Sequence, residues 1–172
     1  MPATPGSPGT RVQIRSCTPD EWPVIREVRL TSLADAPGAF TSSYERESEF
    51  DESTWRDRAT TGRWFVASDE GAWVGVAGGI EGRSGDRARR ELVGMWVAPA
   101  HRHRGIARSL LDHVAGWART EGAAILDLSV LSGNSAARTA YLRMGLRATG
   151  ESTPAWNDPS DFVEHLEMPL LV

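Results

Sequence analysis

The chain has 172 residues, 40% hydrophobic and 24% charged, which suits one domain with a full core and leaves no composition break for a second. A net charge of −4 argues against a general nucleic-acid binder, and no apolar run is long enough to span a membrane, so neither is an expected partner. The single cysteine, Cys17, excludes an intramolecular disulfide and a Cys-rich zinc site and fits a reducing compartment, making the cytoplasm the expected location.

Residues 1–10 are rich in Pro, Gly, Ser and Thr and read as a disordered tail; the folded domain is expected over 11–172. Val12 and Ile14 alternate with polar neighbours in a first strand over Arg11 to Ser16. Thr18-Pro19-Asp20-Glu21 has the form of a capping box and predicts a helix to about Leu33, ended by Ala36-Pro37-Gly38. Phe40 to Ala59 is acidic and helix-compatible, predicting one or two short helices. Trp64–Ala67 and Ala72–Ala77 flank Ser68-Asp69-Glu70-Gly71 as a hairpin, and Gly82 to Arg90 predicts a turn. Then follow a strand over Glu91 to Val97, a helix over Ile106 to Thr120, a strand over Ala124 to Leu131, a helix over Ser135 to Met144, and strands near Leu146 to Glu151 and Phe162 to Leu171. The Ile106–Thr120 helix carries an apolar stripe, and the strand-helix-strand unit around it predicts a right-handed crossover between parallel strands.

The junction from Met95 to Ala107 is the most informative stretch. A strand, Met95-Trp96-Val97, runs through a basic loop, His101-Arg102-His103-Arg104-Gly105, directly into a helix. N–H groups at a helix start have no intrahelical acceptor and sit at the positive end of the dipole, so such a junction suits a phosphate. No Gly-Lys-Ser/Thr follows the glycine and no G-x-G-x-x-G is present, which leaves nucleoside-triphosphate and dinucleotide loops unsupported.

Arg102-x-x-Gly105-x-Ala107 resembles the pyrophosphate loop of the GNAT (Gcn5-related N-acetyltransferase) superfamily in its bacterial form. Downstream, Asn134-Ser135-Ala136-Ala137-Arg138-Thr139-Ala140-Tyr141-Leu142-Arg143-Met144-Gly145-Leu146 is similar to the family pattern N-x-x-A-x-x-x-Y-x-x-x-G-F, departing from it only at Leu146. The resemblance implies an α/β (α+β) GNAT fold, a mixed central sheet of about seven strands with about four helices. It also implies a splayed parallel strand pair forming a cleft for acetyl-CoA, the cosubstrate.

Carried over residue by residue, the resemblance has the backbone of Met95, Trp96 and Val97 bond the pantetheine. N–H groups of Arg102, His103, Arg104, Gly105, Ile106, Ala107 and Arg108 would cradle the pyrophosphate, with the Arg102 and Arg104 side chains free to add contacts. Asn134 would cap its helix and touch the cofactor; Tyr141 would be the general acid toward the departing thiolate. Glu91, near the start of the strand, takes the general-base place, and simple alternation puts Glu91, Val93, Met95 and Val97 on one face. The side chains of His101 and His103 are expected in solvent, and without a third ligand they make no metal site.

The implied activity is acetyl transfer from acetyl-CoA to a primary amine, a small molecule or lysine side chain, by direct attack in a ternary complex. The alternative is a non-catalytic CoA-binding regulatory or interaction module. Phe40 to Trp55 and Thr153 to Asp161, acidic and with aromatics, are the expected acceptor-facing segments and suggest a cationic acceptor steered by Asp158 and Asp161. Ser129, where ribosomal-protein acetyltransferases of the superfamily carry glutamate, argues against that subtype. The terminal strand Phe162 to Leu171 is a possible pairing edge for a homodimer.

Overall fold

The computed structural model describes residues 11–83 and 85–171; the tail expected over 1–10 lies outside the described residues. Strand β1 (Gln13–Ser16) leads through a short 3-10 turn into helix α1 (Trp22–Asp35). The capping box forms, with the Thr18 N–H donating to Glu21 Oε2 at 2.8 Å, but it caps the 3-10 turn Pro19–Glu21 rather than the α-helix. Pro23 then occupies the first turn of α1, where a missing N–H removes no helical bond.

The acidic stretch forms two short helices, α2 (Tyr44–Ser48) and α3 (Glu52–Thr61), capped by the side chains of Ser43 and Asp51. Strands β2 (Arg63–Asp69), β3 (Ala72–Glu81) and β4 (Arg89–Val97) make an antiparallel meander. The turn between β3 and β4 is shorter than expected because cross-strand pairing continues out to Glu81 and Arg90. Helix α4 (Ile106–Thr120), strand β5 (Ile125–Leu131), helix α5 (Ser135–Arg143) and strands β6 (Arg147–Pro154) and β7 (Phe162–Pro169) complete the chain.

One mixed sheet results, in the order β1-β2-β3-β4-β5-β7-β6, with β4 and β5 its parallel neighbours. Helices α4 and α5 cover one face: Leu110, Leu111 and Val114 pack with Leu92, Leu126 and Leu128, all nearly inaccessible. Ile25 and Val28 of α1 and Ala59 of α3 cover the other face over Trp64, Val66 and Trp96. Burial of these large apolar side chains is the main favourable contribution to folding. Among the described residues no helix is long and apolar enough to cross a membrane.

Candidate functional site

The site is where the sheet comes apart. Strands β4 and β5 pair from Arg89↔Ile125 to Leu92↔Leu128 and no further, although β4 runs on to Val97 and β5 to Leu131. Gly94 causes the departure: its φ of 65° lies in the left-handed region, and a side chain there would meet the Trp64 ring at 3.2 Å. The register of β3 on β4 slips at the same place, between Val76 and Gly78. Beyond this bulge the β5-facing N–H and C=O groups of β4 have no strand partner and edge an open cleft.

The bulge also corrects the expected alternation. Glu91 and Val93 face the α1 side, but Met95 and Val97 turn to the α4 side and pack there, while Trp96 joins Val93. The extra residue reverses the side-chain sense. Residues from both faces therefore line one cavity of about 420 Å³, including Glu91, Met95, Ser129, Asn134 and Tyr141.

At one end of the cleft lies the start of α4. Gly105, with φ 81° and no side chain to cap the helix, is its N-cap and leaves the first-turn N–H groups of Ile106, Ala107 and Arg108 without intrahelical acceptors. His103 is likewise left-handed, at φ 61°. The neighbouring side chains are more committed than the sequence implies. Arg102 Nε donates to the Val97 carbonyl at 2.9 Å and its Nη2 to Asp35 at 3.0 Å, so this side chain braces the loop. His101 is not in solvent: its Nε2 lies 3.0 Å from Asp69 Oδ2. Arg104 stays largely exposed, and Arg108 pairs with Asp112 and donates to the Met144 carbonyl. Among the described residues no group of three or more His, Cys, Asp or Glu is placed to hold a metal ion.

Asn134 caps α5, its side chain accepting from the Ala137 N–H at 3.2 Å. Tyr141, on that helix, packs against the core beneath α4, and burial raises its hydroxyl above the ordinary phenol range, keeping the proton on. Glu91 is 8% exposed. Burial raises its carboxyl above the usual range; Arg83 opposes this, Asp127 adds to it, and the Ser129 hydroxyl, donating at 3.3 Å, opposes it. A carboxyl raised in this way is better matched to taking a proton near neutrality.

The far wall was poorly visible in the sequence. Arg29 of α1 grips Glu47 of α2 through Nε at 3.1 Å and Nη2 at 2.9 Å, and Arg58 of α3 donates to the same carboxylate at 2.7 Å. Burial alone would raise the Glu47 carboxyl, but the two guanidinium groups outweigh it and hold it down to about 2. Phe40 lies beneath Arg29 at 4.7 Å. Trp156, from the β6–β7 loop, donates to Thr41 Oγ1 at 2.8 Å and carries Arg46 over its ring at 4.4 Å, so the two expected acceptor segments do meet across the cleft. Of their acids, Glu47 lines the cavity but is held by Arg29 and Arg58, while Asp51 caps α3, Asp158 accepts from Ser160, and Asp161 from the Phe162 N–H.

Comparison with known proteins agrees with this geometry. The chain is 41% identical over 108 residues to the streptothricin acetyltransferase of Streptomyces lavendulae, an overlap of 60% of this chain and 54% of that one. It thus spans about half the length of that relative. The crystal structure of nourseothricin acetyltransferase superposes with a TM-score of 0.58 at 29% identity, over 64% of this chain and 66% of that one. The fold is shared more fully with yncA of Salmonella typhimurium, solved with its cofactor acetyl-CoA: TM-score 0.71, 20% identity, 95% and 96% of the two chains. The sequence profile of the Acetyltransferase (GNAT) family matches residues 29–146, spanning the splayed strands, the α4 junction and α5, and the chain belongs to that family.

Proposed function

We propose that the protein is an acetyl-CoA-dependent N-acetyltransferase acting on a primary amine by direct attack within a ternary complex. The observation that carries this reading is the meeting of Glu91 and Tyr141, from opposite faces of the sheet, in the one cavity opened by the Gly94 bulge. A module that only bound CoA would need the α4 junction but neither of these groups.

The residues present fit the cosubstrate. The β5-facing backbone of Met95 to Val97, which no strand pairs although Arg102 holds the Val97 carbonyl, offers an edge to the amide-rich pantetheine arm, much as an added strand would pair. The N–H groups of Gly105, Ile106, Ala107 and Arg108 offer donors to the pyrophosphate, aided by the exposed Arg104 and the left-handed turn at His103. Asn134 stands where the cleft meets α5. Bound there, acetyl-CoA supplies an activated acyl group and a thiolate that leaves. Glu91 takes a proton from the acceptor's ammonium, whose unperturbed pKa is about 10, so that the neutral amine can attack. Tyr141, held protonated, donates to the departing sulfur. Holding amine and thioester in one cleft supplies much of the rate. Cys17 is buried and absent from the cavity lining, so no acyl-enzyme is invoked.

For the acceptor, the named relatives favour a streptothricin-type amine, a polar cation, and Glu91 rather than Asp158 or Asp161 is the carboxylate that meets it. The test is thiol release from acetyl-CoA with streptothricin, polyamines, amino acids and lysine peptides. Turnover with one of these, lowered about a hundredfold by Glu91→Gln, is expected. Tight acetyl-CoA binding with no turnover of any amine would refute the reading.

A further inference from the structure

Glu91 does not end in the cleft. Its Oε1 accepts from Ser129 Oγ at 3.3 Å, and the same Oγ lies 3.2 Å from His165 Nδ1. On the other side of the ring, His165 Nε2 is 3.0 Å from Thr153 Oγ1. The Arg83 guanidinium touches Glu91, Ser129 and the ring alike: it donates to Ser129 Oγ at 2.9 Å, lies 3.9 Å from Glu91 Oε2, and meets the ring more closely at Nδ1 than at Nε2. These groups share a face because Glu91 pairs with Asp127, two residues before Ser129, and Ser129 pairs with His165 across β5 and β7.

Beyond His165 the face opens into a second cavity of about 830 Å³, whose lining includes Arg83, Asp127, Thr153, His165 and Glu167. Ser129 borders the first cavity and His165 the second. The two are thus joined by a file of exchangeable protons.

We infer that Ser129 and His165 form a proton relay carrying the proton collected by Glu91 out of the acceptor cleft to this second cavity. The inference rests on Glu91 receiving the amine's proton, as proposed above. The ammonium proton passes to the Glu91 carboxylate. The carboxyl then gives it to Ser129 Oγ as the Ser129 hydroxyl proton moves to His165 Nδ1, forming an imidazolium. That ring releases its Nε2 proton to water in the second cavity and becomes neutral as the Nδ1–H tautomer, and proton exchange with that water restores the Nε2–H form before the next turnover. Ser129 has one hydroxyl proton and can donate to Glu91 or to His165 but not to both, so it switches partner with the ionisation of Glu91. Arg83, at Nδ1, opposes a lasting positive charge on the ring and favours release.

The surroundings of His165 fit a transient carrier. Burial and then Arg83 lower its basicity, while Glu151 and Asp127 pull the other way. Glu167, its neighbour along β7, is occupied by Arg89 at 2.9 Å, and Glu164 by Arg138 at 2.7 Å. Ser129 and His165 touch Glu91 or one another, so they are positioning groups whose signature lies in proton delivery.

Two measurements test this. In the free protein, nitrogen chemical shifts at pH 7 should show His165 as a neutral ring protonated on Nε2, leaving Nδ1 as the acceptor that faces Arg83 and Ser129. An imidazolium, or a proton resident on Nδ1, would overturn the relay, and this arm needs no acceptor. In thiol release with streptothricin, or with the first active amine of the panel, Ser129→Ala and His165→Gln should each lower kcat about tenfold. KM for acetyl-CoA should hold, Ser129→Thr should restore the rate, and imidazole buffer should rescue His165→Gln. Wild-type kcat and pH profile in Ser129→Ala, with Glu91→Gln inactive, would overturn the relay alone. Full activity in Glu91→Gln would instead remove the reading on which it rests.

Discussion

The two ends of the cleft are built from different materials. Under the N-terminus of α4 the groups on offer are backbone N–H and C=O, shaped by Gly94 and Gly105 and backed by a continuous apolar core. Beneath α1 they are side chains from many elements: Arg29, Glu47 and Arg58 from the three N-terminal helices, and Glu91 and Ser129 from two strands, with His165 of a third behind them. Backbone cradles tolerate changes in neighbouring side chains because their donors belong to every residue. A side-chain wall fails one residue at a time, since each buried polar group there relies on a specific partner.

The largest expected effect breaks the side-chain end. Glu47→Ala leaves Arg29 buried without its counter-charge, which should lower stability by about 3–5 kcal/mol in urea unfolding. Acid titration sharpens the point. The Glu47 carboxyl sits at about 2 in the folded protein, against roughly 4.3 for an unperturbed glutamate. The unfolded chain therefore binds its proton first, and the stability that Glu47 contributes is full above about pH 5 and lost as pH falls toward 2. Glu47→Ala should flatten that part of the stability curve; a variant curve with the same slope as wild type would contradict the assignment.

A smaller effect is expected at the backbone end. Gly105→Ala adds a methyl group into open space, so only the left-handed φ of 81° is penalised. The penalty should be about 1–2 kcal/mol, seen as weaker acetyl-CoA binding and a modest loss of stability. The smallest belongs to the acids first expected to steer the acceptor. Asp158 and Asp161 bond within their own loop, so the double change to Asn should leave KM for the active amine within about twofold. A large rise in KM would move acceptor recognition out to that loop.

The same contrast governs what could be read in advance. The α4 junction was legible because its geometry is local: a strand, a glycine and a helix start stand within a dozen residues, and the Asn134–Leu146 segment fixed α5 in the same way. The parallel pairing of β4 with β5 followed from the amphipathic stripe of α4 and the crossover it demands. Simple alternation failed at Gly94, where one bulged residue turned Met95 and Val97 to the opposite face from Glu91. The partners of the Arg102 side chain were not legible, because Asp35 is distant in sequence and the Val97 carbonyl is reached only through the fold. His165 stands on a terminal strand with no motif around it, and only cross-strand register brings it beside Ser129. Asp127, charged within the apolar run Ile125-Leu126-Asp127-Leu128, was a further local sign, beside Glu91 and Ser129, that this face carries polar chemistry.

The division between backbone and side chain is tested most directly by following amide resonances of the full chain as acetyl-CoA is added without an amine. Shifts and exchange protection should concentrate at Met95 to Val97 and Gly105 to Arg108, and Glu91→Gln should show the same pattern and affinity as wild type. Protection centred on the Arg29–Glu47–Arg58 wall, or acetyl-CoA binding abolished by Glu91→Gln, would contradict the account.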